Sequence, residues 1–376
     1  MRYFVISLIL VINLFTPESI QASQTFLYQI RDSTDYGRGI WKYTGEPCNG
    51  DVCKGWIRLD NNEKTINIAA GGTNLYQIRE SDDYGREIWQ FTGEPCEGNT
   101  CAGWQKIDTN NKTANIVAAG IELYQLHQKD VKHWKVNDGE SIWQYTGVPC
   151  NGNSCKGWKM LDNNSKTELI VAHEFLGSLF QLHYSGDIWE YTGQPCNGNS
   201  CVGWKKLDNN QKTYWITTGR NFNEFPGMVG LGLFQMHGYS IWEYTGQPCN
   251  GNSCIGWRKI DNNIIKGIYA SIGGLYKRHG DDNNWSIWKY NGLPCNADIC
   301  PGWQKLYAAS EKMGKRGMVV SGYQLYRYSE DGIWRYTGQP CNGDSCVGWQ
   351  KIDNKVKERI VKAGTIAATP PPPPPR

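Results

Sequence analysis

Between residues 65 and 108 the chain alternates short β-branched, aromatic or small-residue runs with clusters of Gly, Asn, Asp and Pro. Residues 65–71 (TINIAAG) are β-branched and then small. Residues 75–79 (LYQIR) and 87–92 (EIWQFT) are aromatic and β-branched, and 103–108 (GWQKID) completes the set. Such residues fit a pleated surface, whereas the Gly-Gly, polar, Cys-containing and Asp/Asn-rich stretches between them break it. The pattern therefore predicts four short strands and no helix. Large residues alternate onto both faces of the aromatic strands, which suits a sheet covered on both sides.

The same pattern returns along the chain. The phrase Ile-Trp-x-Tyr-Thr-Gly-x-Pro-Cys recurs with small variations, followed five residues later by a second Cys and then by Gly-Trp. Successive first cysteines are separated by 48, 54, 46, 53, 46 and 46 residues. A period near that length, with four strands per repeat, is the signature of propeller blades. Seven Trp pairs, from Trp41 with Trp56 through Trp334 with Trp349, count seven blades. The ends complement each other. Residues 26–30 (FLYQI) read as a second strand without a first, and 358–364 (ERIVKAG) as a first strand without a second. Pairing them completes blade 1 and removes the edges of an open array. The expected fold is an all-β, seven-bladed propeller over residues 23–368, four antiparallel strands per blade, with the small-residue strand beside the axis. An open solenoid is the rival architecture.

The termini and the composition add the compartment. Arg2 precedes an apolar run over residues 4–15, and residues 17–23 are polar and small, the layout of a signal peptide spanning 1–22. That run is too short to span a bilayer. A secreted protein is expected, extracellular, periplasmic or held at the cell surface. With 39 Lys+Arg against 36 Asp+Glu, the chain lacks the clustered positive charge that nucleic acid requires. Residues 369–376 form a polyproline tail, extended and unable to join a sheet.

Fourteen cysteines fall into seven pairs five residues apart. Cys48 goes with Cys53, Cys96 with Cys101, Cys150 with Cys155 and Cys196 with Cys201. Cys249 goes with Cys254, Cys295 with Cys300 and Cys341 with Cys346. No repeat supplies the further ligands a metal needs, so local disulfides are expected in an oxidising compartment. Each small loop contributes about 2 kcal/mol of chain entropy. No cofactor is expected.

The blade order of small-residue strand, aromatic strand, Ile-Trp strand and Gly-Trp strand resembles the tectonin and tachylectin-type propeller lectins. The Cys-x4-Cys loop and the Asp-Asn-Asn turn are additions to that layout. The resemblance implies a propeller that binds sugars.

Candidate binding residues lie in the loops between second and third strands, which share one face of the ring with the Asp-Asn-Asn turns. The Gly-Gly turns and the Cys loops are expected on the other face. Those second loops carry Tyr36, Tyr84, Trp134, Tyr184, Tyr239, Trp285 and Tyr328, accompanied by Asp35, Asp83, Asp138, Asp187, Asp282 and Asp331. An aromatic plate covers the C–H face of a sugar while a carboxylate accepts from its hydroxyls. The competing reading has these rings close the loops by packing. Asp60-Asn61-Asn62 and its counterparts read as Asx turns. His127, His183, His237 and His279 end second strands where Arg31 and Arg79 stand elsewhere, a repeated position that reads as structural. No singular catalytic constellation emerges, so no enzyme is expected. Two segments break the period: 129–136 lengthens a second loop in blade 3, and 221–230 lengthens a first turn in blade 5. The expected function is glycan binding by repeated weak sites. The alternative is an extracellular protein–protein scaffold or adhesin module.

Overall fold

The computed structural model describes residues 27–31, 39–80, 85–129, 139–174, 176–222, 230–263, 265–280, 284–309, 317–354 and 366–368. The expected signal peptide (1–22) and polyproline tail (369–376) lie outside the described residues. Among those described lie seven four-stranded antiparallel sheets and no helix. Blade 2 is typical, with Thr65–Gly71, Asn74–Glu80, Arg86–Phe91 and Trp104–Asp108 side by side in chain order. The inner strand of every blade touches those of both neighbours. The series runs from Thr65–Gly71 round to Gly317–Ser321 and returns through Ile366–Ala368. The ring is closed. Small residues are needed there, because a Cβ on Gly71 would lie 2.7 Å from the Ala119 nitrogen of the next inner strand.

The closing strand differs from the expected one. Residues 358–364 lie outside the described residues, and Ile366–Ala368 pairs with Leu27–Arg31. Its register, Gln29↔Ile366, Tyr28↔Ala367 and Leu27↔Ala368, repeats Gln77↔Ile68, Tyr76↔Ala69 and Leu75↔Ala70 of blade 2. The repeat's own Ile-Ala-Ala order therefore marks the strand. The run before it is richer in β-branched residues, which is why composition alone points there instead.

The core sits between blades. One cluster joins Phe234, Met236, Ile241 and Ile260 of blade 5 to Ile268, Leu275 and Tyr290 of blade 6. Each Gly-Trp tryptophan donates its indole N–H to a carbonyl of the preceding blade at 2.8 or 2.9 Å. Trp56 makes the same bond to Ile352 across the closure, at 2.9 Å.

All seven local disulfides form as expected. Cys48 is bonded to Cys53, Cys96 to Cys101, Cys150 to Cys155 and Cys196 to Cys201. Cys249 is bonded to Cys254, Cys295 to Cys300 and Cys341 to Cys346, and no free cysteine remains. The loops they close do not stay on the face expected for them. Each first cysteine donates its backbone N–H to the outer strand of the preceding blade, as from Cys96 to Arg58 at 3.0 Å and from Cys48 to Lys351 at 3.1 Å. At five junctions the Asn after the blade-ending Asp holds the loop tip, as from Asn61 Nδ2 to Asn99 O at 2.8 Å. The loops are thus tongues that run along the neighbouring outer strand toward the opposite face. They cover strand edges that would otherwise invite association.

Candidate functional site

A buried polar latch recurs at the blade junctions. The Asp ending an outer strand accepts from a Gln in the second strand of the next blade. Gln77 meets Asp60 at 2.7 Å, Gln181 meets Asp162 at 2.7 Å, Gln235 meets Asp208 at 2.7 Å, and Gln29 meets Asp353 at 2.6 Å. The Thr opening the inner strand bonds the same Gln, at 2.5 Å for Thr65 and 2.8 Å for Thr113. Two residues beyond the Gln stands the Arg or His position, laid over the Ile-Trp indole. Arg31 and Arg79 lie 4.3 Å from the Trp41 and Trp89 rings, and His183 lies 5.8 Å from Trp189. Where Lys277 replaces the Gln, it pairs with Asp261. Where Tyr307 replaces the Asp, Arg327 replaces the Gln and lies 4.2 Å from the tyrosine ring.

Between blades 2 and 3 this arrangement opens into a cleft of about 570 Å³. The turn of Thr109, Asn110, Asn111 and Lys112 forms one wall, and His127, Glu140, Ser141 and Trp143 form the other. In blades 4 and 5 an Asn of the preceding turn occupies the histidine. Asn164 Nδ2 lies 3.1 Å from His183 Nε2, and Asn210 Nδ2 lies 3.0 Å from His237 Nδ1. The counterpart Asn110 makes no such bond. His127 is 3% exposed, yet its Nε2 has no hydrogen-bond partner. Burial lowers its pKa to about 4, with Lys112 lowering it further and Glu140 opposing. The ring is therefore neutral near pH 7. Trp143 Nε1 donates to Ser141 Oγ at 2.8 Å, and the Ser141 hydroxyl lies 3.4 Å from His127 Nδ1.

Glu140 Oε1 pairs with Lys112 Nζ at 2.6 Å, while its Oε2 is buried without a partner. Beneath them, burial pushes Asp108 up to about 6, against hydrogen bonds from Gln125, Thr109 and Asn110. The cleft thus offers a neutral imidazole, a carboxylate and an ammonium beside an indole. An acceptor and a donor side by side match two neighbouring hydroxyls. Among the described residues no cluster of His, Cys, Asp and Glu could hold a metal.

Of the residues singled out in the sequence, Asp35, Tyr36, Asp83, Tyr84, Trp134, Asp138 and Asp282 lie outside the described residues. The others do not converge. Trp285 is 3% exposed, with its ring 5.0 Å from Tyr307 in the core. Tyr328 fills the space above Gly317, and burial raises its hydroxyl to about 12. Tyr184 is half-buried. Burial pushes Asp187 up, but the Ser185 hydroxyl at 2.6 Å and Lys206 at 3.0 Å outweigh it and hold the carboxyl below its usual range. Asp331 accepts from Ser329 and lies 4.0 Å from Arg327. Tyr239 is open, at 67% exposure. It shares blade 5 with exposed Tyr214 and Trp215, and Tyr214 Oη donates to Gly238 O at 3.1 Å.

Sequence reasoning missed these two inner-strand aromatics and Glu140, Ser141 and Trp143 of the cleft, and took His127 as structural. The signal was present. Tyr214-Trp215 stands where blades 2 and 3 carry Ile66-Asn67 and Ala114-Asn115, and Glu140-Ser141 follows closely on the segment that lengthens blade 3.

No protein-family model matches this chain, and no curated protein matches it. Solved structures with a similar course include Prp20p from Saccharomyces cerevisiae, 11% identical, covering 90% of this chain and 87% of that one, with TM-score 0.45. YCF48 from Cyanidioschyzon merolae is 12% identical, with 86% and 90% covered and TM-score 0.41. The SapL1 lectin, solved with alpha methyl fucoside, is 13% identical, with 80% and 98% covered and TM-score 0.36.

Proposed function

We propose that this protein is a secreted, non-enzymatic glycan-binding propeller whose main sugar site is the cleft between blades 2 and 3. The observation that carries this reading is that two residues lining the cleft, His127 and Glu140, each hold a buried polar atom without a partner, Nε2 and Oε2. A buried polar group without a partner costs free energy, and a ligand hydroxyl at each position would recover it. Trp143 adds an apolar edge, and exposed Tyr214, Trp215 and Tyr239 supply rings for further sugar units of a longer glycan. Seven disulfides and the N-terminal sequence support an oxidising compartment. The tectonin-like blade order points the same way.

The test is a glycan array probed with the wild type, Glu140→Gln and Tyr239→Ala. A defined set of glycans should bind. Glu140→Gln should weaken that binding tenfold or more, the scale of one hydrogen bond to a charged group (about 1.5–3 kcal/mol). Tyr239→Ala should weaken only the longer glycans. An array with no specific signal would refute the reading and favour the protein-scaffold alternative.

A further inference from the structure

Phe222, at the start of the segment that lengthens blade 5, packs onto blade 6 on the face opposite the sugar cleft. Phe222 meets Tyr290 edge-on, with ring centroids 4.9 Å apart, and also touches Phe234 at 6.2 Å. Beside it lies a second cleft of about 440 Å³, its lining including Arg220, Phe222, Lys289, Tyr290, Asn291 and Gln304. Arg220 ends the inner strand Thr213–Arg220, and Lys289 stands on the third strand Trp285–Tyr290 of the next blade. Two cations therefore share one opening. Burial lowers the Lys289 pKa, and the charge of Arg220 lowers it further.

Neither cation has a carboxylate partner among the described residues. The contrast with the same strand position in other blades is plain. Gln144 bonds Glu122 at 2.5 Å, Glu243 pairs with Arg258, and Arg335 bonds Gln350 at 2.7 Å. Lys289 instead lies over Gly274, with its Cε 3.2 Å from where a Cβ would stand there, and faces the cleft. Its cross-strand neighbour Gln304 lines the same opening and is exposed. A partly buried pair of like charges destabilises the fold, and a bound anion relieves that cost.

We infer that this second cleft binds the carboxylate or sulfate group of an anionic ligand. Arg220 offers a fork to two of its oxygens, Lys289 a point charge, and the Asn291 and Gln304 amides donors to the remainder. The apolar Phe222 ring beside these cations suits an acidic sugar better than a bare ion. The charge argument stands by itself, whereas the sugar identity rests on the glycan reading above.

The experiment is calorimetric titration of the full-length secreted protein with glucuronate, glucose 6-sulfate, inorganic sulfate and glucose. The variants are Lys289→Met, Arg220→Gln and Glu140→Gln. Lys289→Met keeps the apolar stem and removes the charge. Glucuronate or glucose 6-sulfate should bind and weaken with added salt. Lys289→Met and Arg220→Gln should each reduce that affinity tenfold or more at a melting temperature no lower than the wild type's, while Glu140→Gln leaves it intact. Stronger binding of the sugars than of inorganic sulfate supports an acidic sugar, and equal binding supports a free anion. Anion affinity unchanged in both cation variants would overturn the site, as would glucose binding there as well as glucuronate. A blank glycan array alongside salt-sensitive sulfate binding lost in Lys289→Met would refute the sugar reading and keep this one.

Discussion

Ala297 has φ 52°, at a position where the other six Cys loops hold Gly with φ between 58° and 60°. A Cβ in that left-handed region costs roughly 1–2 kcal/mol. Ala297→Gly should therefore stabilise the protein by about 1 kcal/mol in denaturant unfolding, and a loss of stability would contradict the strain. Glu174 stands at a turn of blade 4 and accepts backbone N–H bonds from Ile272 of blade 6 and Gly322 of blade 7, so its carboxyl lies across the ring. Burial raises its pKa from 4.5 to about 8, against those two bonds. The folded chain then holds a proton that the unfolded chain releases. The associated stability is complete below about pH 4.5 and is lost as pH rises through about 8. Melting temperatures of wild type and Glu174→Gln at about pH 5 and about pH 8 check this. The variant should lose less on going to the higher pH, and parallel losses would count against it.

At the scale of elements, most of the blade was legible. Strand runs, turn residues and the i,i+5 cysteine pairs are local features, fixed by short-range chemistry and repeated seven times. The latch was not, because its two halves come from different repeats. The trace it left was a Gln in five second strands, with Lys277 and Arg327 as the exceptions, and Tyr307 standing opposite Arg327 in place of Asp. The direction of the Cys tongues was hidden for the same reason, since Cys96 binds Arg58 of the preceding repeat. Asp353 measures the latch at the closure. It holds Gln29 at 2.6 Å and Arg31 at 2.8 Å, and Arg31 is 3% exposed. Asp353→Ala leaves that guanidinium buried without its carboxylate and should cost about 3–5 kcal/mol. Asp187→Ala, in a half-exposed pair with Lys206, should cost under about 1 kcal/mol. Equal unfolding midpoints for the two variants would mean that the latch does not hold the closure.

For the whole molecule, four devices join blade 7 to blade 1: the strand Ile366–Ala368, the Trp56 indole, the Cys48 tongue and the Asp353 latch. Such a ring is a rigid frame, and its distinctive chemistry lies where the repeat fails. Glu140 and Ser141 of the cleft between blades 2 and 3 follow in the chain the segment that lengthens blade 3, and Phe222 of the cationic cleft opens the one that lengthens blade 5. Seven-fold recurrence draws attention to the loop aromatics, yet the asparagine that reaches His183 fails to reach His127, and that is invisible before folding. The most direct test is calorimetric titration of the protein with the strongest array glycan, in wild type and Glu140→Gln. The account predicts one high-affinity site per chain, weakened at least tenfold by the variant at an unchanged melting temperature. Seven equivalent sites, or one site indifferent to Glu140, would contradict it.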